Sequence, residues 1–215
     1  CNLEGNPLHE EQAEIIRMLG EVYGLNTVLD GERRLSHVSF GEIMASHLSA
    51  VAVAREVCTV EVDRKFSTVL TSAAGYPLDK TYYQTVKGMV TPLDIMTQGA
   101  SLVIASECAE GLGSSEYREA QRRLIEQGPD RFIEGILSKD LAAIDEWQTE
   151  MQTKSMRQVD IALYSESLSE SDHALTGVSR TFSLAEAVMA SVKRSGDSCV
   201  AVIPEGPYVI PRYTR

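Results

Sequence analysis

Positive charge is scarce in this sequence. Its 215 residues carry 20 Lys and Arg against 31 Asp and Glu, a formal net charge of -11, which disfavours the basic surface that nucleic-acid binding needs. Cysteine is equally sparse. Cys1, Cys58, Cys108 and Cys199 form no C-x-x-C pair, which argues against a zinc ribbon, a thioredoxin-type motif and a secreted disulfide framework, and fits a reducing cytoplasm. Long apolar runs are missing as well: the purely aliphatic stretches reach about five residues, as from Ala50 to Ala54, against the roughly 20 that span a bilayer. No membrane partner is expected. Residues 1 to 20 hold Glu4, Glu10, Glu11 and Glu14 without a basic segment leading into an apolar one, so no signal peptide is expected either. The first residue is Cys1 rather than methionine, and the chain is expected to be a piece of a longer protein.

Three kinds of catalytic signature are also absent. His9, His37, His47 and His173 show neither an i, i+4 pair nor metal-ligand spacing with the cysteines or carboxylates, so no metal site is expected within the chain, and His47 reads as a core or edge histidine. No G-x-S-x-G elbow occurs, and no serine or cysteine has an evident base partner, which leaves nucleophilic hydrolysis without support. The loop Gly111-Leu112-Gly113-Ser114-Ser115-Glu116 lacks the third glycine of a dinucleotide fingerprint, and Glu107, Glu110 and Glu116 would repel a phosphate.

What is present reads as an ordinary folded domain, with 43% hydrophobic and 24% charged residues. Apolar periodicity predicts a helix over 8–19, a hairpin from strands at 25–30 and 35–40, and a helix from Glu42 to Val57. Strands follow at 59–62 and 68–71, helices at 80–87 and 92–98, and a doubly buried strand at 101–106. Helices at 115–127, 129–137 and 141–157 precede a strand at 160–164, a serine-rich loop at 165–173 and an extended piece at 175–178. A helix at 184–195 and a strand at 199–203 close the pattern. Strands separated by helix-length connections predict an α/β fold, a mostly parallel sheet with helices on both faces in a Rossmann-like three-layer sandwich. Residues 1–20 are read as a lead-in segment and helix from a domain junction, and 21–215 as one α/β domain.

Ligands of open parallel sheets sit beyond the carboxyl ends of the strands, which directs attention to the loop 72–79 and the helix after it. Asp79 is read as the N-cap and Gly88 as the residue past the helix end. Tyr83 and Lys87 then stand one turn apart with Gln84 beside them, a phenol, a carboxamide and an ammonium suited to an anionic ligand such as a carboxylate. The same residues also suit a merely solvated helix face. Trp147, the single tryptophan, falls on the helix 141–157 with Ile144 and Met151, where it reads as a core anchor.

The segments Leu3 to Glu11 (LEGNPLHEE), Gly75 to Met89 (GYPLDKTYYQTVKGM), Glu110 to Gly113 (EGLG) and Ile203 to Pro211 (IPEGPYVIP) resemble the carboxyl-terminal half of the nickel-pincer-nucleotide lactate racemase family. The Y-Q-x-x-K segment is the most specific part of a resemblance that runs along essentially the whole chain. It implies racemisation of a small 2-hydroxy acid by reversible hydride transfer from the substrate Cα to a nickel-pincer nucleotide, through a 2-keto acid intermediate. It further implies that Tyr83, Gln84 and Lys87 line the substrate pocket and that Trp147 faces it. The family's cofactor-tethering lysine, nickel-binding histidine and two acid/base histidines lie upstream of the GNPLHEE segment. The resemblance therefore implies a substrate-facing half that carries no catalytic or metal-binding residue of its own, holds no cofactor, and is inactive without an amino-terminal cofactor-binding domain. The competing reading is a non-catalytic α/β anion-binding or interaction domain of the same fold.

Overall fold

The computed structural model of the chain describes residues 2–214, so the reading of Cys1 lies outside the described residues. Cys58, Cys108 and Cys199 are free thiols. Contacts divide the chain into two compact units, Cys1–Thr59 and Val60–Arg215, a division that falls well beyond the 20/21 boundary expected from the sequence.

The first unit contains α1 (Pro7–Leu19), the hairpin strands β1 (Tyr23–Leu29) and β2 (Leu35–Glu42), and α2 (Ile43–Cys58). Asn6 caps α1, its side chain accepting the Leu8 N–H at 3.2 Å, with Pro7 at the first helical position. The strands pair antiparallel with Leu25 opposite Phe40. One face of the hairpin packs on α2, which is why the compact boundary falls after α2 and not after α1.

The second unit is built on a five-stranded, wholly parallel sheet in the order β7-β6-β5-β4-β8. Its strands are β4 (Phe66–Ser72), β5 (Met96–Ala105), β6 (Val159–Tyr164), β7 (Ser179–Arg180) and β8 (Ala201–Ile203). The strands expected at 68–71, 101–106, 160–164 and 199–203 share this sheet, whereas the one expected at 59–62 does not. β5 is central and its residues Ala100 to Ile104 are buried, as a strand covered on both faces requires. Val69, Leu102 and Ile104 meet Tyr82, Met89 and Tyr117 on one face. On the other, Thr68 Oγ1 lies 2.6 Å from Ser191 Oγ of α8 (Leu184–Ser195). The remaining helices are α3 (Tyr82–Val90), α4 (Ser115–Gln127), α5 (Pro129–Leu137), α6 (Glu146–Gln158) and α7 (Glu170–Ala174). Among the described residues no helix is long and apolar enough to cross a membrane.

Several local expectations are corrected. The helix expected at 92–98 is a 3-10 turn, Thr91–Ile95, because β5 starts early enough for Met96 to pair with Phe66, and Gly99 at φ +73° takes up the irregularity. Residues 141–145 lie outside α6, which begins only after Asp145 at φ +61°. Trp147 is consequently no core anchor: it is 54% exposed. The serine-rich loop contains α7, capped by Ser169 Oγ accepting from Asp172 N, and the last edge pairing forms at Ser179–Arg180 instead of 175–178. Downstream of the expected final strand, β9 (Ile210–Tyr213) pairs with β3 (Thr59–Val62).

One carboxylate organises the helical layer. Glu146 is 2% exposed, and its carboxylate takes Arg123 of α4 at 2.5 Å, Lys139 after α5 at 2.6 Å, and the Ala143 N–H at 3.3 Å. Burial pushes its pKa up, but Lys139, Arg123 and the amide together outweigh burial and hold it below the ordinary value of 4.5. A carboxylate with a depressed folded pKa stabilises fully above its unfolded pKa and loses that contribution as pH falls through the folded one. Glu146→Gln should therefore cost about 3 kcal/mol at neutral pH, the scale for removing one partner of a buried ion pair. Denaturant titration of both proteins should show the gap closing below about pH 4.5; a gap independent of pH would contradict this role.

Candidate functional site

The parallel register brings the ends of β4, β5 and β6 together, and the loops that leave them are bonded to one another. Ala73 N donates to Ala105 O at 2.9 Å and Ser106 N to Tyr164 O at 3.0 Å. The loop after β5 then clasps the segment leading into α3. Cys108 N donates to Asp79 O (2.8 Å), Glu110 N to Lys80 O (2.7 Å), Tyr82 N to Gly111 O and Tyr83 N to Leu112 O (both 2.9 Å). The first helical N–H groups of α3, which no turn of helix precedes, find their acceptors in this loop. The Gly111 and Leu112 carbonyls thus hold α3, and the Cys108, Glu110 and Gly111 N–H groups that a phosphate cradle would need are already bonded to backbone carbonyls.

The cap assignments of α3 differ from those expected. Thr81, not Asp79, is the N-cap, and the Asp79 carboxylate instead accepts the Glu107 N–H at 3.3 Å. Gly88 lies within the helix, not beyond it. A Cβ there would stand 3.0 Å from Ser72 O and 3.1 Å from Ile104 Cδ1, so a glycine is needed for the helix to lie this close to the end of β4.

Helical spacing sends Tyr82, Thr85, Val86 and Met89 into the core and leaves Tyr83, Gln84 and Lys87 on the partly exposed face. The Tyr83 ring meets Tyr117 edge-on at 5.1 Å between centroids and Trp147 at 6.0 Å, with its backbone carbonyl accepting from Gln148 Nε2 at 2.9 Å. Burial, then the nearby Asp145 carboxylate, pushes the Tyr83 phenol above its usual range, so it is a neutral hydrogen-bond donor at physiological pH. Gln84 Oε1 is buried without a hydrogen-bond partner. Among the described residues no ion pair or hydrogen bond engages the Lys87 ammonium, whereas the nearby Lys80 is paired with Glu110. The chain therefore joins Tyr83 to Trp147 and sets Gln84 and Lys87 on the same helix face. Neither the concavity of about 500 Å³ beside β6 and α8 nor that of about 530 Å³ between α4 and residues 139–144 is lined by Tyr83, Gln84, Lys87 or Trp147.

Two features of the site were missed in the sequence. Tyr117 supports the Tyr83 ring from α4, and Gln148 anchors the Tyr83 carbonyl from α6. A tyrosine in the first turn of the helix that follows the Gly-rich loop was the only signal for the first, and nothing marked the second. Among the described residues no three His, Cys, Asp or Glu gather in a cluster that could hold a metal ion.

The profile of the family described as "Lactate racemase C-terminal domain" matches residues 62–210. Among curated proteins, a lactate racemase of Thermoanaerobacterium thermosaccharolyticum is 27% identical across 98% of this chain, and one of Lactiplantibacillus plantarum is 24% identical across 97%. The chain spans about half the length of these relatives, 49% of each. The structure of the T. thermosaccharolyticum lactate racemase apoprotein superposes with a TM-score of 0.88 at 26% identity, over 98% of this chain and 50% of that one.

Gly113 gives the site a structural test. It sits at φ +129°, and a Cβ would fall 3.1 Å from Tyr83 Cβ and 3.5 Å from Tyr117 Cδ1, atoms held by the packing described above. Gly113→Ala should lower stability by about 1–3 kcal/mol through strain and displacement of Tyr83. The Trp147 emission maximum should move with it, since that indole reports the Tyr83 contact. An unchanged melting temperature and spectrum would show that the loop does not position this ring.

Proposed function

This chain belongs to the lactate racemase C-terminal domain family, and from that footing we propose that it is the substrate-facing half of a cytoplasmic racemase of small, lactate-type 2-hydroxy acids. The observation that carries the reading is the partly exposed face of α3, which carries the Lys87 ammonium without a counter-charge, the neutral Tyr83 phenol, and Gln84, whose buried carboxamide oxygen has no donor. A 2-hydroxy acid offers the complement of each. Its carboxylate suits Lys87, its hydroxyl suits the Gln84 oxygen, and either accepts from the Tyr83 phenol.

Inverting a carbon centre requires the substrate to be held while its Cα–H bond is broken and remade on the opposite face. A charge-assisted anchor at the carboxylate fixes one end and leaves the Cα free to present either face, and the Trp147 indole against Tyr83 shields the anchor from water. The family resemblance assigns the hydride acceptor to a nickel-pincer nucleotide and proton transfer to histidines, all in the half that this chain does not span. Among the described residues no cluster fits a nickel site; the part assigned here to this chain is to bind, orient and dry the substrate, without activity of its own.

In the full-length protein, Lys87→Ala should lower kcat/KM by about 30- to 1,000-fold, the roughly 2–4 kcal/mol expected for a charge-assisted contact in a closed site. The same change should leave the melting temperature of this chain within about 1 °C, because the ammonium has no partner to lose. Racemisation of L-lactate followed by circular dichroism is the assay. Full activity in the Lys87→Ala protein would remove Lys87 from the site, whereas no racemisation by the wild-type full-length protein would favour an anion-binding domain without a catalytic part.

A further inference from the structure

The hairpin of the first unit is built inside out. On the face toward α2 it carries Gly24, Asn26, Val28, His37, Ser39 and Gly41, and that contact is largely polar. Asn26 Nδ2 donates to Ser46 Oγ at 2.9 Å, Ser39 Oγ to Ser46 O and Ser46 Oγ to Ser39 O at 2.9 Å each, and His37 Nε2 lies 3.1 Å from Ser49 Oγ. The opposite face is apolar. Leu25 and Phe40 form a cross-strand pair there, 65% and 74% exposed, flanked by Tyr23, Thr27 opposite Val38, and Leu29 opposite Leu35. The Tyr23 and Phe40 rings stack at 6.2 Å. Antiparallel strands ordinarily turn their apolar side to a core and their polar side to water, and this hairpin does the reverse.

The unit also lacks an apolar core of its own: among its described residues only Ser46 and Ala50 are buried, and its two-stranded sheet has only the largely polar contact with α2 to hold it. We propose that the outer face of β1 and β2 is covered by a segment of the same polypeptide lying in the half that this chain does not span, so that residues 1–59 fold as part of that other half. The inference rests on reading the chain as half of a longer racemase, and the relatives supply the length: it spans 49% of each curated relative.

Size argues against a second copy of this chain as the occupant. Two strands of about seven residues present a footprint on the order of 250 Å², well under the roughly 800 Å² per partner of a stable complex. A covalently tethered segment needs no such area, since tethering supplies an effective concentration in the millimolar range.

Hydrogen–deuterium exchange, compared between the 215-residue chain and the full-length protein, is the test. In the full-length protein the amides of 23–29 and 35–42 should exchange at least about 100-fold more slowly, independent of protein concentration. Phe40→Asp in the full-length protein should return them toward the rate of the short chain, while Phe40→Leu should not. Equal exchange in the two wild-type proteins would overturn the proposal, as would protection in the short chain that grows with its concentration, the mark of a second copy. Racemase activity is not read, so failure of the functional reading leaves this result interpretable, and failure here leaves the activity assay untouched.

Discussion

The parallel register of β4, β5 and β6 is the constraint from which the site follows. It places three strand ends side by side, so that the loops leaving them share one edge and can bond to each other instead of to water. Ala73 is tied to Ala105, Ser106 to Tyr164, and the loop after β5 to the first turn of α3. Backbone bonds thus set where α3 begins and which face it turns outward. Phenol, carboxamide and ammonium acquire their arrangement from a sheet none of them touches through hydrogen bonds.

A second layer of polar contacts carries the aromatic side of the site. α6 buries Gln148, Thr149, Gln152, Thr153 and Ser155. Gln121 Nε2 reaches Tyr117 Oη at 2.7 Å and Gln152 Oε1 at 2.9 Å, and Gln152 Nε2 reaches Thr176 O at 2.6 Å. Gln121 Oε1, Gln148 Oε1 and Ser155 Oγ are buried without a partner, but the directional bonds that are made specify an arrangement, whereas an apolar interface of the same shape would tolerate sliding. Trp147, adjacent to the clamped Glu146 and to Gln148, is held against Tyr83 by this network while remaining half open to solvent.

The sheet strands and α8 were legible because β-branched runs and apolar periodicity report burial directly, and α8 spans the expected residues 184–195. The Y-Q-x-x-K face was legible because helix spacing fixes which residues share a side. What escaped depends on partners distant in sequence. Asp79 looks like a cap by composition but is drawn to Glu107 N, and Gly88 looks like a stop but serves the approach of α3 to Ser72. α6 reads with Trp147, Ile144 and Met151 on its core side, whereas its buried side is polar, and its first turn was set too early because nothing local announces the left-handed Asp145. β9 needs β3, about 150 residues before it, to become a strand. The inverted hairpin shows the same limit: its alternation was readable, but not which side would be left without a cover.

On the reading we propose, the face of α3 is one wall of a substrate site whose opposite wall lies in the half that this chain does not span. The most direct measurement is a crystal structure of the full-length protein with a 2-hydroxy acid bound. The account predicts the carboxylate at about 2.7–3.0 Å from Lys87 Nζ, with Tyr83 and Gln84 in hydrogen-bond reach and Trp147 bordering the ligand. A carboxylate held by other residues, with Lys87 turned to bulk solvent, would contradict it.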